Sequence, residues 1–155
     1  MTPGVTSNVW AGCDVPGGLV YDLDADVWVR VDADGSATVG MTDVAQTRCG
    51  RLVQVSWKQA GAKLRRGRPL CVIESAKWVG PIKSPLSGTV LETNDATFDA
   101  DVAAANRDPY GAGWFARIAP SDPAELELLA DASAAFEHYR EVIERDGIRC
   151  YRCAE

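Results

Sequence analysis

Residues 69–88 read P-L-C-V-I-E-S-A-K-W-V-G-P-I-K-S-P-L-S-G and hold the best candidates for chemistry. An apolar strand runs into Glu74-Ser75-Ala76-Lys77. A second arm leaves through Val79 and Ile82 to Ser84-Pro85-Leu86-Ser87-Gly88. A lysine between two such strands stands at a hairpin tip. There its amine lies in water, open to a modifying enzyme, and an attached group gains a free radius to swing. Glu74 and the small residues beside it leave the amine unobstructed. Trp78 follows directly, and a large indole on a turn serves to shield a bound group or to mark a docking face.

The remaining reactive residues are cysteines. Cys13, Cys49, Cys71, Cys150 and Cys153 make an odd, scattered set. That pattern fits reduced cytoplasmic thiols better than a secreted disulfide framework. Cys49 and Cys71 fall in periodic segments and read as core fillers. Cys13 sits among Gly and Pro and reads as exposed. Cys150-x-x-Cys153 follows a helix, so it lacks the helix N-terminus that lowers a thiol pKa in redox motifs. A zinc site would need four ligands, and the single histidine, His138, lies on the preceding helix. The pair is either a set of redox thiols or a passive tail, and no metal site is expected. No nucleophile–His–acid set and no phosphate loop is evident, so a free-standing enzyme is not expected.

These residues need a scaffold, and the chain supplies a mostly β one. Val27, Val29 and Val31 alternate with Trp28 and Arg30, Asp34-Gly35 turns the chain, and Ala37-Thr38-Val39 returns. Thr42 begins a short capped helix with Gly50 near its exit. Strands are expected at Leu52–Trp57, Pro69–Ser75, Gly88–Thr93 and residues 114–118, with helical character over residues 95–106. Ser121-Asp122-Pro123 followed by Glu125 reads as a helix start, and Asp146-Gly147 as its stop. The organisation expected is a lead-in over residues 1–18, a β domain over 19–120, a C-terminal helix over 121–147 and a Cys-containing tail over 148–155. Trp28, Trp57 and Trp114 fall in strand-like segments and read as core. Arg65-Arg66-Gly67-Arg68 reads as a solvated turn, with a patch for an acidic partner as the alternative.

The bulk numbers agree. The chain has 155 residues, 46% hydrophobic and 25% charged, as in an ordinary globular protein of one domain. Its net charge of -6 argues against nucleic acid or an anionic membrane as the main partner. No apolar run approaches the ~18 residues of a membrane span. The first ten residues carry no Lys or Arg, so they do not read as a signal peptide.

The segment around Lys77 resembles the lipoyl-attachment motif of the glycine-cleavage H-protein family, in which Glu-Ser-x-Lys leads into Ala-Pro-x-Ser-Gly. Two more motifs follow the family order. Residues 39–46, V-G-M-T-D-V-A-Q, resemble its Val-Gly-Ile-Thr-x-x-Ala-Gln, and residues 106–114, N-R-D-P-Y-G-A-G-W, resemble its Asn-x-x-Pro-Tyr-x-x-Gly-Trp. The likeness covers about residues 19 to 130. It implies a flattened β barrel-sandwich of two antiparallel sheets with short helices and a C-terminal α-helix. It also implies lipoate in amide linkage on Lys77, flanked by Glu74, Ser75 and Trp78. The implied partners are a lipoate-protein ligase or lipoyl transferase and the enzymes that use the arm. The carrier would itself be their substrate, not a catalyst.

The family supplies two carboxylates as counter-charges for an aminomethyl-loaded arm. Aligned on Trp28 and on Lys77, those positions are Val27 and Pro81. Asp24 or Asp26 could substitute, but in an extended strand Asp26 would point away from the face of Val27. A cleft poor in carboxylates is therefore expected, and with it a different cargo. Residues 74–81, Gly12-Cys13-Asp14-x-Pro16 and the Cys150/Cys153 pair resemble a branch of H-like lipoate-binding proteins of bacterial sulfur oxidation. That likeness implies sulfur transfer beside a heterodisulfide-reductase-like complex, with dihydrolipoamide dehydrogenase as a further partner. The alternatives are a true glycine-cleavage carrier and an unlipoylated binding module of the same fold.

Overall fold

The computed structural model describes residues 7–153. In chain order it contains β1 (Ser7–Trp10), β2 (Cys13–Pro16), β3 (Val20–Asp22), β4 (Val27–Val31), β5 (Ala37–Met41), α1 (Asp43–Cys49), β6 (Leu52–Trp57), β7 (Lys63–Leu64) and β8 (Pro69–Ser75). Then come β9 (Val79–Lys83), β10 (Gly88–Thr93), α2 (Asp95–Ala100), α3 (Ala104–Arg107), β11 (Ala116–Pro120), a 3-10 helix (Pro123–Leu128), β12 (Ala130–Asp131) and α4 (Ala132–Asp146). A seven-stranded sheet runs in the order β12-β3-β4-β5-β11-β10-β7, and a three-stranded sheet in the order β6-β8-β9. All pairings are antiparallel. This is the sandwich of two antiparallel sheets that the family resemblance implies, with a further hairpin, β1-β2.

The alternation in β4 explains how two cores form. Neighbouring side chains on a strand point to opposite faces. Val27 and Val29 enter the main core with Val39, Ile73, Leu86, Phe115 and Ile118, which comes from both sheets. Trp28 points the other way, into a second cluster with Tyr21, Val44, Ala135, Tyr139 and Ile143. Both faces of β4 are thus buried over its first three residues, while Arg30 and Val31 are exposed. Gly40, paired with Trp28 across the strands, has no room for a Cβ against the indole. The indole Nε1–H donates to the Pro109 carbonyl at 2.8 Å.

Several expectations need correction. Residues 7–16 are a paired hairpin and not a loose lead-in. The helical segment after Ser121 is divided. Asp122 does cap, accepting from the Ala124 N–H at 3.1 Å, but it caps a 3-10 helix. The chain then adds a short strand before Asp131 caps α4. Pro and acidic residues stabilise any first helical turn, and the local signal does not specify how many turns follow. Cys13 is fully buried, and it is disulfide-bonded to Cys150 with a Cα–Cα distance of 4.8 Å. An all-thiol chain is therefore not what the structure holds; Cys49, Cys71 and Cys153 remain free. Nor is the tail loose. The Cys150 N–H donates to the Ala11 carbonyl and the Cys153 N–H to the Asn106 carbonyl, both at 3.0 Å. The core assignments of Cys49, Cys71 and Trp28 agree with their burial. Among the described residues, no helix is long and apolar enough to cross a membrane.

Candidate functional site: a lysine hairpin over a cleft

Strands β8 and β9 pair through Glu74↔Val79, which leaves four residues to turn the chain. The Ser75 N–H donates to the Trp78 carbonyl at 2.8 Å and closes that turn, with Ala76 and Lys77 at its tip. Ser75 is buried, and its hydroxyl donates to the Cys49 carbonyl at 2.6 Å. The hairpin is thereby fastened to the last residue of α1. Lys77 itself is exposed. Trp78 is 43% exposed, and its ring folds back over Gly80, where a Cβ would collide with it.

Helix α1 supplies the floor under the lysine. Thr42 accepts from the Ala45 N–H at 3.2 Å as its N-cap, and Gly50 at φ +82° ends it. A Cβ on Gly50 would lie 3.0 Å from Lys77 Cε, so the lysine stem crosses this helix end at close range. A side chain here would also need a left-handed backbone that only glycine adopts cheaply.

The second and third sequence motifs brace this floor. Gln46 Nε2 donates to Asp43 Oδ1 at 2.8 Å. Asn106 donates to the Gly50 carbonyl and accepts from the Leu52 N–H, each at 2.9 Å. The Tyr110 hydroxyl donates to the Asp14 carbonyl at 2.6 Å and accepts from the Asp43 N–H at 2.9 Å. The three motifs of the sequence therefore meet in space, with Lys77 at the solvent end.

Beside Lys77 opens a cleft of about 530 Å³. Met41, Ile73, Pro81 and Ile82 give it an apolar wall, while Asp24, Asp26, Arg48, Cys49, Trp78 and Lys83 supply polar groups and the indole. The expected shortage of carboxylates is not found. Asp26 is not in an extended strand: its φ is +56°, in a left-handed turn just before β4. The alternation that would have turned it away does not apply there. Its carbonyl accepts from the Thr42 N–H at 3.1 Å, and its carboxylate accepts from the Tyr139 hydroxyl of α4 at 3.0 Å. Burial pushes the Asp26 carboxyl above its usual range, opposed by the Tyr139 hydroxyl and by Arg48. Val27 is fully buried in the main core, while Pro81 lines the cleft.

Cys49 also reaches the cleft, a placement the sequence did not reveal. Burial pushes its thiol up to about 11, opposed by Lys77, so it is protonated at neutral pH. Tyr139 and Asp26 were missed as a pair because they lie 113 positions apart. Cys150 and Cys153 do not come together as partners, since Cys150 is joined to Cys13. Among the described residues, no cluster of three or more His, Cys, Asp or Glu is arranged to hold a metal ion.

Comparison with known proteins places this arrangement. The chain is 39% identical over 146 residues to the probable glycine cleavage system H protein 2 of Sulfolobus acidocaldarius, covering 93% of this chain and 97% of that one. It is 42% identical over 125 residues to the glycine cleavage system H protein of Marinobacter nauticus, covering 81% and 95%. Glycine cleavage system H protein 2 of Aquifex aeolicus is 37% identical over 142 residues, covering 91% and 88%. The crystal structure of a glycine cleavage system H protein from Mycobacterium marinum superposes with a TM-score of 0.69 at 32% identity, over 86% of this chain and 99% of that one. The family model described as glycine cleavage H-protein matches residues 19–142, and the chain belongs to that family of lipoyl carriers.

Proposed function

We propose that Lys77 carries lipoate in amide linkage and that the chain shuttles an aminomethyl group between the enzymes of glycine cleavage. The observation that carries this reading is the exposed hairpin lysine beside a cleft that has both an apolar wall and carboxylates. The donor set fits the group: a free amine accepts the acyl linkage, and Met41, Ile73 and Ile82 suit an aliphatic chain laid along the cleft. When bound, lipoate supplies a dithiolane whose sulfurs hold the cargo.

The chain's own residues do the rest. Amide formation removes the Lys77 charge, as acetylation does. Arg48 and Lys83 then remain as the cations of the cleft wall, facing Asp24 and Asp26. A cargo amine entering near Asp26 is a counter-charge for a carboxyl that burial otherwise drives towards its neutral form. Desolvating that amine without such a partner would be costly. Glu74 flanks the turn that a ligase or transferase would read. The chain acts in the cytoplasm as a substrate of its partners: a lipoate-protein ligase or lipoyl transferase, the glycine-cleavage enzymes and dihydrolipoamide dehydrogenase.

A second reading has one observation in its favour. Three relatives, numbered 2, 3 and 5, come from the single organism Aquifex aeolicus, and several copies in one organism leave room for a second cargo. That cargo would be sulfur, passed to a heterodisulfide-reductase-like complex. Its structural argument, a cleft without acids, is gone. Two measurements separate the readings. Peptide mass spectrometry after co-expression with a ligase locates the modification; an unmodified Lys77 would leave a binding module of the same fold. Glycine decarboxylase assays with the lipoylated chain then test the cargo, and failure to support turnover would shift the assignment to sulfur.

A further inference from the structure

The C-terminal tail is held by a small set of contacts that converge on α1. Cys150 is bonded to Cys13 across 137 positions. Its carbonyl presses on Gly12, where a Cβ would lie 2.6 Å away. The Tyr151 carbonyl accepts from Gln46 Nε2 at 2.8 Å. The Arg152 guanidinium lies 3.5 Å from the Asp43 carboxylate and 5.8 Å from the centre of the Tyr110 ring. Cys153 donates its N–H to Asn106, the residue whose side chain fixes Gly50 and Leu52 beneath Lys77.

Cys150 is buried with Cys13 in the second cluster, but beyond it little apolar burial supports this docking. Tyr151 is 66% exposed, and Arg149 and Arg152 are also exposed. A segment held by few buried contacts opens locally at low cost once a covalent tie is cut. A third sulfur is close in sequence: Cys153, a free and partly exposed thiol three residues beyond Cys150. A free thiol thus follows the disulfide within the segment that meets α1.

We propose that Cys13–Cys150 is a thiol–disulfide exchange site for a dithiol of the dihydrolipoyl class, and that its reduction releases the tail from α1. Both sulfurs are buried while the clasp is closed, so local opening of the tail exposes them first. One thiolate of the dithiol then attacks a sulfur of the disulfide, the Sγ–Sγ bond breaks, and the departing cysteine thiolate takes up a proton. The second thiol of the reagent, deprotonated, attacks the mixed disulfide and closes its own ring. The dithiol is oxidised by two electrons, and Cys13 and Cys150 each end as S–H. Without the tie, Tyr151 and Arg152 leave Gln46 and Asp43, and the helix end under Lys77 loses one of its braces. The proposal does not rest on Lys77 bearing lipoate.

The test uses the full unmodified chain, with free dihydrolipoamide as the probe. Aliquots are quenched in acid, unfolded and alkylated, and the labels are counted by mass. Three labels are expected before treatment, on Cys49, Cys71 and Cys153, and five after it. In parallel, tryptic cleavage after Arg149 and Arg152 should accelerate roughly tenfold or more, and amide exchange over residues 46–52 should rise with it. The variant Cys13→Ser should show the fast cleavage with no reductant, and Cys153→Ser should keep the clasp closed. A disulfide that stays at three labels in excess dihydrolipoamide overturns the exchange site. A disulfide that opens while the tail keeps its protection overturns the release. If Cys13→Ser does not fold, the titration of the wild-type chain decides both points alone.

Discussion

Lys77 contributes almost nothing to the fold around it. Its side chain is exposed, and the turn that presents it is closed by the Ser75 and Trp78 backbone and by the buried Ser75 hydroxyl. Lys77→Ala should therefore leave stability within about 0.5 kcal/mol in a denaturant titration, since exposed substitutions away from caps and strain rarely do more. The same variant should acquire no lipoyl mass after co-expression with a ligase; modification transferred to Lys83 would displace Lys77 from its role. Asp26 behaves in the opposite way. Its pKa is raised in the folded chain, chiefly by burial, so the native state holds the proton more tightly than the unfolded one. Stability from this group is then greatest below the ordinary carboxyl range and falls as pH rises through the folded pKa. Asp26→Asn should remove that fall, read as a flatter dependence of urea midpoint on pH above about 4. In the lipoylated chain, it should also shorten the lifetime of an aminomethyl-loaded arm. Val27→Glu, which alignment alone would suggest as a restored counter-charge, should instead destabilise the protein, because Val27 is fully buried among apolar side chains.

At the scale of elements, the site depends on a helix of seven residues, too short to persist without tertiary braces. Asn106 is the main brace, 1% exposed and bonded to both Gly50 and Leu52. Asn106→Ala leaves a partly buried carbonyl and a buried N–H without their partner. A loss of about 1–3 kcal/mol is expected, the cost of stranding such groups. Amide exchange over residues 50–52 should rise with it, and ligase modification of Lys77 should slow. An unchanged rate of modification would mean that the hairpin is positioned by β8 and β9 alone. These elements were legible because their signals are local. Strands β6, β8 and β10 match the sequence-predicted spans, since alternation and flanking turn residues define each one. Thr42 and Gly50 marked both ends of α1 for the same reason. The segment after Ser121 was not legible to the same degree. A capped first turn forms there as predicted, but Leu129 adopts an extended backbone and Ala130–Asp131 pairs with β3, a contact with residues more than a hundred positions away. The carboxylates of the cleft are not legible in the sequence, because alternation places Asp26 in an extended strand while its φ of +56° sets it in a turn that lines the cleft beside Asp24.

At the scale of the molecule, two buried clusters share β4 but differ in what they support. The main core joins the sheets, and the second joins α4, the β1-β2 hairpin, Val44 of α1 and the tail through Cys150. The second cluster could not be read from the sequence. It gathers residues from both ends of the chain, and its covalent tie spans 137 positions. An odd cysteine count argued for free thiols, while in the structure three remain free and two pair. The architecture predicts unequal stability. The hairpin and α4 pack on the outside of a sheet whose other face is already filled, so they should open together without unfolding the sandwich. Ile143 is 3% exposed and belongs to the second cluster alone. Truncating it to alanine should cost about 2–5 kcal/mol locally, by the usual range for a buried isoleucine. Hydrogen exchange of Ile143→Ala should then rise in β1, β2 and α4 by similar factors. The amides of β4, β5 and β11, bonded on both sides within the seven-stranded sheet, should keep their wild-type rates at low denaturant. Tyr139 sits in the same helix and holds Asp26 from behind the cleft, so the opening should carry a functional signal as well. The wild-type pH dependence attributed to Asp26 should weaken in Ile143→Ala as α4 detaches and that carboxyl regains water. Uniform acceleration across all strands would instead show that the two clusters melt as one.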